Sequence, residues 1–226
     1  MKGNDIFSGL LPPSVHVVQS RTELGEAPRY WQEERYIAGA VSQRQQEFRT
    51  VRVCARRALA QLGFADFPLV PDEQRAPVWP VGVVGSMTHC EGFRAVAVAS
   101  SNEVRSMGID AEVHAPLPAE ILDIVLLPEE QRMVAELTRR NPEIAWDRLI
   151  FSAKESVFKA WFPVTRRWLD FLECQISLEG QSFQFQATIQ TTDATATEHA
   201  LTEMSGRWIA EGPSNQGLLG TCITVL

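Results

Sequence analysis

Paired cysteines, long apolar runs and an excess of basic charge are all missing from this 226-residue sequence. Cys54, Cys90, Cys174 and Cys222 are widely scattered and form no Cys-x-x-Cys pair, so they read as reduced thiols in or near the core rather than as a disulfide framework. The four histidines do not cluster with them, which argues against a structural zinc site. No apolar run approaches the length of a membrane span, and Asp5 falls where a signal peptide would begin its apolar region. The expectation is a cytoplasmic protein with no membrane association. A net charge of −7 argues against wholesale nucleic-acid binding. There is also no low-complexity tract or disordered linker.

What is present is an ordinary globular composition, 45% hydrophobic and 22% charged, enough for one large domain or two small ones sharing a core. The charge is uneven. Residues 1–108 hold 12 basic and 11 acidic residues, whereas residues 109–226 hold 9 and 17. Five arginines lie between Arg44 and Arg57. A basic surface on an acidic chain suggests a small polyanion or an acidic partner; a solvated helix face explains it as well.

Periodicity gives the elements. Ser42 and Gln45 have the spacing of a capping box, and Phe48, Val51, Ala55, Ala58, Leu59 and Leu62 follow as one apolar stripe, with Gly63 placed to end the helix. Arg44, Arg49, Arg52 and Arg56 lie off that stripe. After a proline-rich loop, "VGVVGSMTHC" and "FRAVAVAS" read as buried strands around a turn at Glu91 and Gly92, and "SMGIDAEV" as a third. Pro128 opens a helix with acids in its first turn and arginines in its last. A longer helix carries Trp146, Leu149, Ile150, Ala153, Val157, Ala160 and Trp161 on one face, and Pro163 is expected to stop it. In "SFQFQATIQ", Phe183, Phe185, Ala187 and Ile189 alternate with polar residues as in a half-exposed strand. "CQISLE", "GRWIAEG" and "LLGTCITVL" look like its partners, and the threonine-rich segment 191–198 reads as a loop. The class is α/β, and the halves 1–108 and 109–226 resemble each other in outline, helix and then strands, within one integrated unit.

Three stretches could carry chemistry. On a strand, residues i and i+2 share a face at about 6.5–7 Å, so Asp110 and Glu112 project together while the Ala111 side chain faces the other way. Two such carboxylates repel unless a cation lies between them or one stays protonated. Oxygen-only ligands suit Mg²⁺; pairing with arginines or exposure to solvent is the alternative. On the long helix Lys154 and Glu155 are adjacent, with Lys159 four residues beyond Glu155. A plain Glu-Lys helix pair accounts for that spacing, and so does a site that handles phosphate. In "GSMTHC", Gly85 and Ser86 allow close approach of a ligand, and Thr88 and His89 can donate to phosphate oxygens. A His89–Cys90 nucleophilic dyad fails, because neighbours on a strand point to opposite faces.

Taken in order, "GSMTHC", "GIDAEVH" and "FSAKESVFKAWFP" resemble the 4′-phosphopantetheinyl transferases. The likeness is to their large, pseudo-dimeric class, the enterobactin-synthase-component-like enzymes of actinobacterial type, and runs from about residue 30 to Leu169 and more loosely beyond. The resemblance implies a fold of two pseudo-symmetric α/β halves, each a small, mostly antiparallel sheet with a long helix. It implies transfer of 4′-phosphopantetheine from coenzyme A to a serine of an apo acyl or peptidyl carrier protein, by a monomer, with release of adenosine 3′,5′-bisphosphate. The carriers of the class serve nonribosomal peptide, polyketide and siderophore synthesis.

By the same resemblance Asp110 and Glu112 hold Mg²⁺ (or Mn²⁺) on the pyrophosphate, and Ala111 contributes only backbone. Glu155 completes the metal site or takes the serine proton. Lys154 and Lys159 neutralise phosphate charge, Thr88 and His89 contact the bisphosphate of coenzyme A, and Arg44 and Arg52 bind its phosphates. The loop lysine that commonly holds the nucleotide is absent; here the stretch is Gln74, Arg75, Ala76 and Pro77, with Arg75 as the replacement charge. Leu169 matches a position near the pantetheine arm. Two rivals remain: an Mg²⁺-dependent nucleotide pyrophosphohydrolase using the same acids, and a non-catalytic module that binds coenzyme A or a carrier protein.

Overall fold

A computed structural model describes residues 5–7, 9–25, 30–64, 67–178, 182–190 and 201–226. Strand β1 (His16–Ser20) and helices α1 (Trp31–Ile37) and α2 (Ser42–Gln61) lead into β2 (Val83–Cys90), β3 (Phe93–Ser100) and β4 (Ser106–Val113). Then come α3 (Leu122–Val125), α4 (Pro128–Arg140), α5 (Trp146–Thr165), β5 (Cys174–Leu178), β6 (Gln184–Ile189), β7 (Glu203–Glu211) and β8 (Leu218–Val225).

The strands form two antiparallel sheets, β1-β3-β2 and β4-β8-β7-β6-β5. Each sheet carries a 20-residue helix: α2 lies on the first and α5 on the second. The pattern of β3 shows how two of the three cores share one strand. Val96 and Val98 face α2, with Val51, Ala55, Ala58 and Leu59. Phe93, Ala95, Ala97 and Ala99 face the other way, toward Ile109 and Ala111 of β4, Leu218 and Cys222 of β8, and Ile6, Phe7 and Leu10. The third core packs α5 through Leu149, Ile150, Val157 and Trp161 onto Ile176, Phe185 and Trp208. Each fully buried side chain of this kind stabilises the fold by about 1.5–3 kcal/mol.

The two sheets meet at β2 and β4 without a backbone ladder. The Ile109 amide donates to Ser86 Oγ at 3.0 Å and the Ala111 amide to Thr88 Oγ1 at 2.9 Å. Because both partners advance together, the strands run parallel, and side-chain hydroxyls replace the carbonyls a sheet would use. This seam sets the "GSMTHC" and "GIDAEVH" stretches side by side.

Most sequence expectations for the elements hold, with three corrections. The capping box at Ser42 does not form: the helix is entered from Val41, and the Gln45 side chain donates to the carbonyls of Ala38 and Ala40 instead. Pro163 does not stop α5, which runs on to Thr165 and ends at Arg166 in the left-handed conformation (φ 55°). In the last turn Pro163 forfeits one amide bond, and the Thr165 hydroxyl covers the Trp161 carbonyl at 3.2 Å. Phe183 lies just outside β6, with its ring 5.1 Å from Trp208. Gly63 does close α2, at φ 82°. Strand β1 and helix α1 were not anticipated, and the threonine-rich segment 191–198 lies outside the described residues. Among the described residues no helix is long and apolar enough to cross a membrane.

Candidate active site

The alternation of β4 decides which residues reach the site. Met107, Ile109 and Ala111 enter the core shared with β3 and β8, so Gly108, Asp110 and Glu112 turn toward α5. Gly108 has to be glycine: a Cβ there would sit 1.8 Å from the Ser156 carbonyl oxygen. That close approach lays α5 directly over the carboxylates, and helical spacing brings Ser152, Glu155 and Lys159 to one face.

Asp110 is buried, and each of its oxygens accepts at least one hydrogen bond. Oδ1 accepts from Thr88 Oγ1 at 3.1 Å and from Lys159 Nζ at 2.6 Å, while Oδ2 accepts from Ser152 Oγ at 2.7 Å. Glu112 pairs with Arg148 at 3.1 Å. Arg148 was not singled out from the sequence, where it reads as one more arginine on a helix. Burial pushes the Glu112 carboxyl up to about 7, the Asp110 charge adds to that, and Arg148 opposes it. Burial likewise raises Glu155, against the pull of Lys159. For Lys159, burial works against the ammonium, but Asp110, Glu155 and Glu112 outweigh it and hold its pKa above the ordinary lysine value.

These groups line one cleft of about 340 Å³, bounded by Met87, Thr88, His89, Asp110, Glu112, Phe151, Glu155 and Lys159. A second, largely apolar cavity of about 200 Å³ adjoins it and includes Phe158, Trp168, Leu169 and Phe171; Glu155 lines both. The pair has the character of a polar chamber with an apolar annex. Among the described residues no three Asp, Glu, His or Cys side chains stand together closely enough to hold a metal as they are. The acids of the cleft supply only oxygen donors, the set a hard divalent cation takes, while Asp110 and Glu112 each already face an internal cation.

At the outer end Arg44 donates to Nε2 of His89, with Glu47 within 3.6 Å of Arg44 and 3.7 Å of both His89 and Arg94. Burial, and then the Arg44 charge, push His89 down to about 4. Since an arginine only donates, Nε2 accepts and the ring proton sits on Nδ1. Arg52 is not a surface arginine. It lies under the protein surface with its guanidinium 3.6 Å from the Phe48 ring and Nε donating to the Leu69 carbonyl at 3.2 Å, and burial lowers its pKa to about 10. Arg49 and Arg56 are engaged by α1 through Glu34 at 2.6 Å and Glu33 at 3.0 Å. Much of the basic helix face therefore meets its acidic partner inside the chain.

Residues 74–77 form a tight turn around Asp72, whose Oδ1 accepts from the amides of Gln74 and Ala76 at 3.0 and 2.9 Å. Arg75 is exposed at φ 66°. Arg166, at the end of α5, binds Asp72 at 2.9 Å and ties this turn to the second half.

Lys154 requires a correction. It does not face phosphate: its ammonium is 2% exposed and donates to Val125 O at 2.8 Å, Glu130 Oε2 at 2.7 Å and Phe171 O at 2.8 Å, which uses all three of its protons. Glu130 in turn accepts from the amides of Leu127 and Ile176, both at 2.7 Å. The physical reason is helical rotation, which turns neighbours on a helix about 100° apart. Glu155 points into the cleft while Lys154 points beneath it.

Comparison with known proteins gives matches along almost the whole chain. Residues 32–99 match the model of the 4′-phosphopantetheinyl transferase N-terminal domain, and residues 106–210 that of the 4′-phosphopantetheinyl transferase superfamily. The chain is 47% identical over 223 residues to the 4′-phosphopantetheinyl transferase Svp of Streptomyces mobaraensis, covering 97% of this chain and 89% of that one. It is 43% identical over 194 residues to the 4′-phosphopantetheinyl transferase PptT of Mycobacterium tuberculosis, covering 84% and 82%. Enterobactin synthase component D of Escherichia coli is 37% identical over 114 residues, about half of each chain (48% and 50%).

Proposed function

The chain belongs to the 4′-phosphopantetheinyl transferases, and from that membership we propose how its own residues move the phosphopantetheine group of coenzyme A onto a serine of a carrier protein. One observation carries the reading: Asp110, Glu112, Glu155 and Lys159 line a single polar cleft that shares Glu155 with an apolar cavity. A pyrophosphate with a long thiol-ended arm needs both environments side by side.

In this reading the pyrophosphate lies in the cleft and the pantetheine arm runs past Leu169, Phe158 and Trp168. The bisphosphate end reaches Thr88, His89 and Arg44. The buried Arg52 supports that end from behind Phe48 rather than from the surface, and the turn Gln74–Pro77 lies against the nucleotide with Arg75 as its cation. Lys159 donates to the phosphate oxygens, and Glu155, raised by burial above the ordinary carboxylate value, accepts the proton of the carrier serine. The serine oxygen bonds to the phosphorus bearing the pantetheine arm as the bond from that phosphorus to adenosine 3′,5′-bisphosphate breaks. Asp110, Glu112 and Glu155 are the residues that would hold Mg²⁺, or Mn²⁺, with Ala111 contributing backbone only; when bound, the ion offsets pyrophosphate charge. The two halves, 1–108 and 109–226, act as one unit, and the working form is a monomer in the cytoplasm.

The test is direct. Purified protein is offered coenzyme A and a panel of apo carrier proteins from peptide, polyketide and siderophore assembly, and the carriers are weighed by mass spectrometry. A phosphopantetheine increment on the carrier serine is expected. Consumption of coenzyme A without a carrier would indicate a pyrophosphohydrolase instead, and binding without any turnover would indicate a non-catalytic module.

A further inference from the structure

The face of Asp110 away from Lys159 is served by three hydroxyls, of Ser152, Ser156 and Thr221, to which the reading above gives no role. Ser152 Oγ donates to Asp110 Oδ2 at 2.7 Å and lies 2.9 Å from Thr221 Oγ1. Thr221 Oγ1 donates to the Ser152 carbonyl at 2.8 Å, and Ser156 Oγ lies 2.6 Å from Thr221 Oγ1. All three hydroxyls are 0% exposed, so no water competes for them. Thr221 sits directly opposite Asp110 in the β4–β8 ladder.

A hydroxyl has one proton, and that fixes the direction of the set. The carboxylate only accepts, so the Ser152 proton goes to Asp110. The Thr221 proton is spent on the Ser152 carbonyl, so the short contact from Ser156 is a donation by Ser156. Ser156 thus donates to Thr221, Thr221 to the main-chain carbonyl of Ser152, and the Ser152 hydroxyl to Oδ2. The Thr221 bond pins the backbone from which the Ser152 side chain springs, and so fixes the place of the hydroxyl that holds Oδ2.

We propose that Ser152, backed by Thr221 and Ser156, is the positioning residue for Asp110. Oδ1 is filled by Thr88 and Lys159, so Oδ2 is the oxygen with a lone pair left to offer. A carboxylate held on one side only can rock about its last torsion, whose energy wells are broad. The Ser152 bond stops that rocking and fixes where the free lone pair points. Placing a reacting or binding group within a fraction of an ångström is the kind of control on which rate depends steeply. This inference rests on the reading of Asp110 as a site residue given above.

The experiment uses the full chain with three substitutions: Ser152→Ala, Thr221→Val, which keeps the shape and loses the hydroxyl, and Thr221→Ser, which keeps the hydroxyl and loses a methyl group. For each, kcat, the KM for coenzyme A, the Tm and the affinity for Mn²⁺ in the presence of coenzyme A are measured. Ser152→Ala is expected to lower kcat roughly tenfold or more and to weaken Mn²⁺ binding, with the KM for coenzyme A nearly unchanged. Thr221→Val should follow in the same direction by a smaller factor, and Thr221→Ser should keep the original kcat. If Ser152→Ala does not fold, the Thr221 pair decides alone. Equal losses in Thr221→Val and Thr221→Ser would make the cluster a packing feature and overturn the proposal. Unchanged kcat or unchanged Mn²⁺ affinity in Ser152→Ala and Thr221→Val would overturn it too. Failure of the unsubstituted chain to bind Mn²⁺ would count instead against the reading of Asp110 itself.

Discussion

Lys154 and Glu155 are neighbours that serve different ends, and the site is best understood by following each side chain to its partner. Glu155 keeps an oxygen free in the cleft, so Glu155→Gln preserves shape while removing basicity. Single-turnover transfer is expected to slow by roughly a hundredfold or more, with coenzyme A binding near normal. Binding lost along with transfer would make Glu155 a ligand only. His89 gives a second prediction at this scale. Its folded pKa, about 4, lies below the ordinary histidine value near 6.5. The unfolded chain therefore binds the proton more readily, and the stability tied to a neutral His89 is complete above about pH 6.5 and lost as pH falls toward 4. In thermal melts, the Tm advantage of the unsubstituted chain over His89→Gln should shrink across that window; an advantage constant with pH would contradict the assignment. The carboxylates were legible from the sequence because strand alternation is rigid. The fate of Lys154 was not, since Lys-Glu spacing on a helix does not reveal which way the helix is rotated about its axis. Arg52 escaped for a related reason: a guanidinium can be buried when an aromatic face and a carbonyl receive it, and the sequence pattern marks only its charge.

At the scale of elements, the site depends on how closely α5 lies against β4 and on what braces α5 from below. Gly108→Ala places a methyl group into the backbone of α5, and since backbone cannot rotate away, a loss of roughly 3 kcal/mol or more is expected, read as a large fall in Tm or in denaturant midpoint. A stable Gly108→Ala protein with normal transfer would show that the contact has slack. The buried pair of Lys154 and Glu130 joins α4, α5, β5 and the segments at Val125 and Phe171. Removing one partner leaves an uncompensated charge, so Glu130→Ala is expected to cost about 3–5 kcal/mol, whereas replacing both by apolar residues of similar volume should recover much of that loss. Urea denaturation of the single and double variants measures the difference. Here the sequence was informative about helix and strand periods and about the glycine that ends α2. It missed β1 and α1, short elements whose apolar residues are too few to set a period, and it suggested a capping box at Ser42 that does not form, because Gln45 donates to backbone carbonyls instead.

For the whole molecule, the two halves are joined by unlike materials. Along the β2–β4 seam the joint is made of hydroxyls, and farther out it is a buried core to which Ile6, Phe7 and Leu10 contribute. Nothing in the sequence pairs these early residues with β8, because the contact spans almost the full chain: the Cys222 thiol reaches the Leu10 carbonyl across a separation of 212 residues. Removing residues 1–11 is expected to lower the Tm by several degrees and to expose an apolar surface on β8, detectable by dye binding; an unchanged Tm would mean that this end is dispensable.

That same closure has a consequence for how the enzyme comes into being. Strand β8 is translated after every other described element, yet it lies between β4 and β7 in the sheet, so the strand bearing Asp110 has no partner in that sheet until β8 leaves the ribosome. Ile6, Phe7 and Leu10 are made before every named element, yet part of the surface they cover comes only with β8. A nascent chain can assemble α2 on its own sheet early, but β4, which bears the carboxylates, has no ladder partner until β8 arrives. A message truncated shortly before Leu218 should therefore yield a product that chaperones hold or proteases clear rather than a weakened transferase.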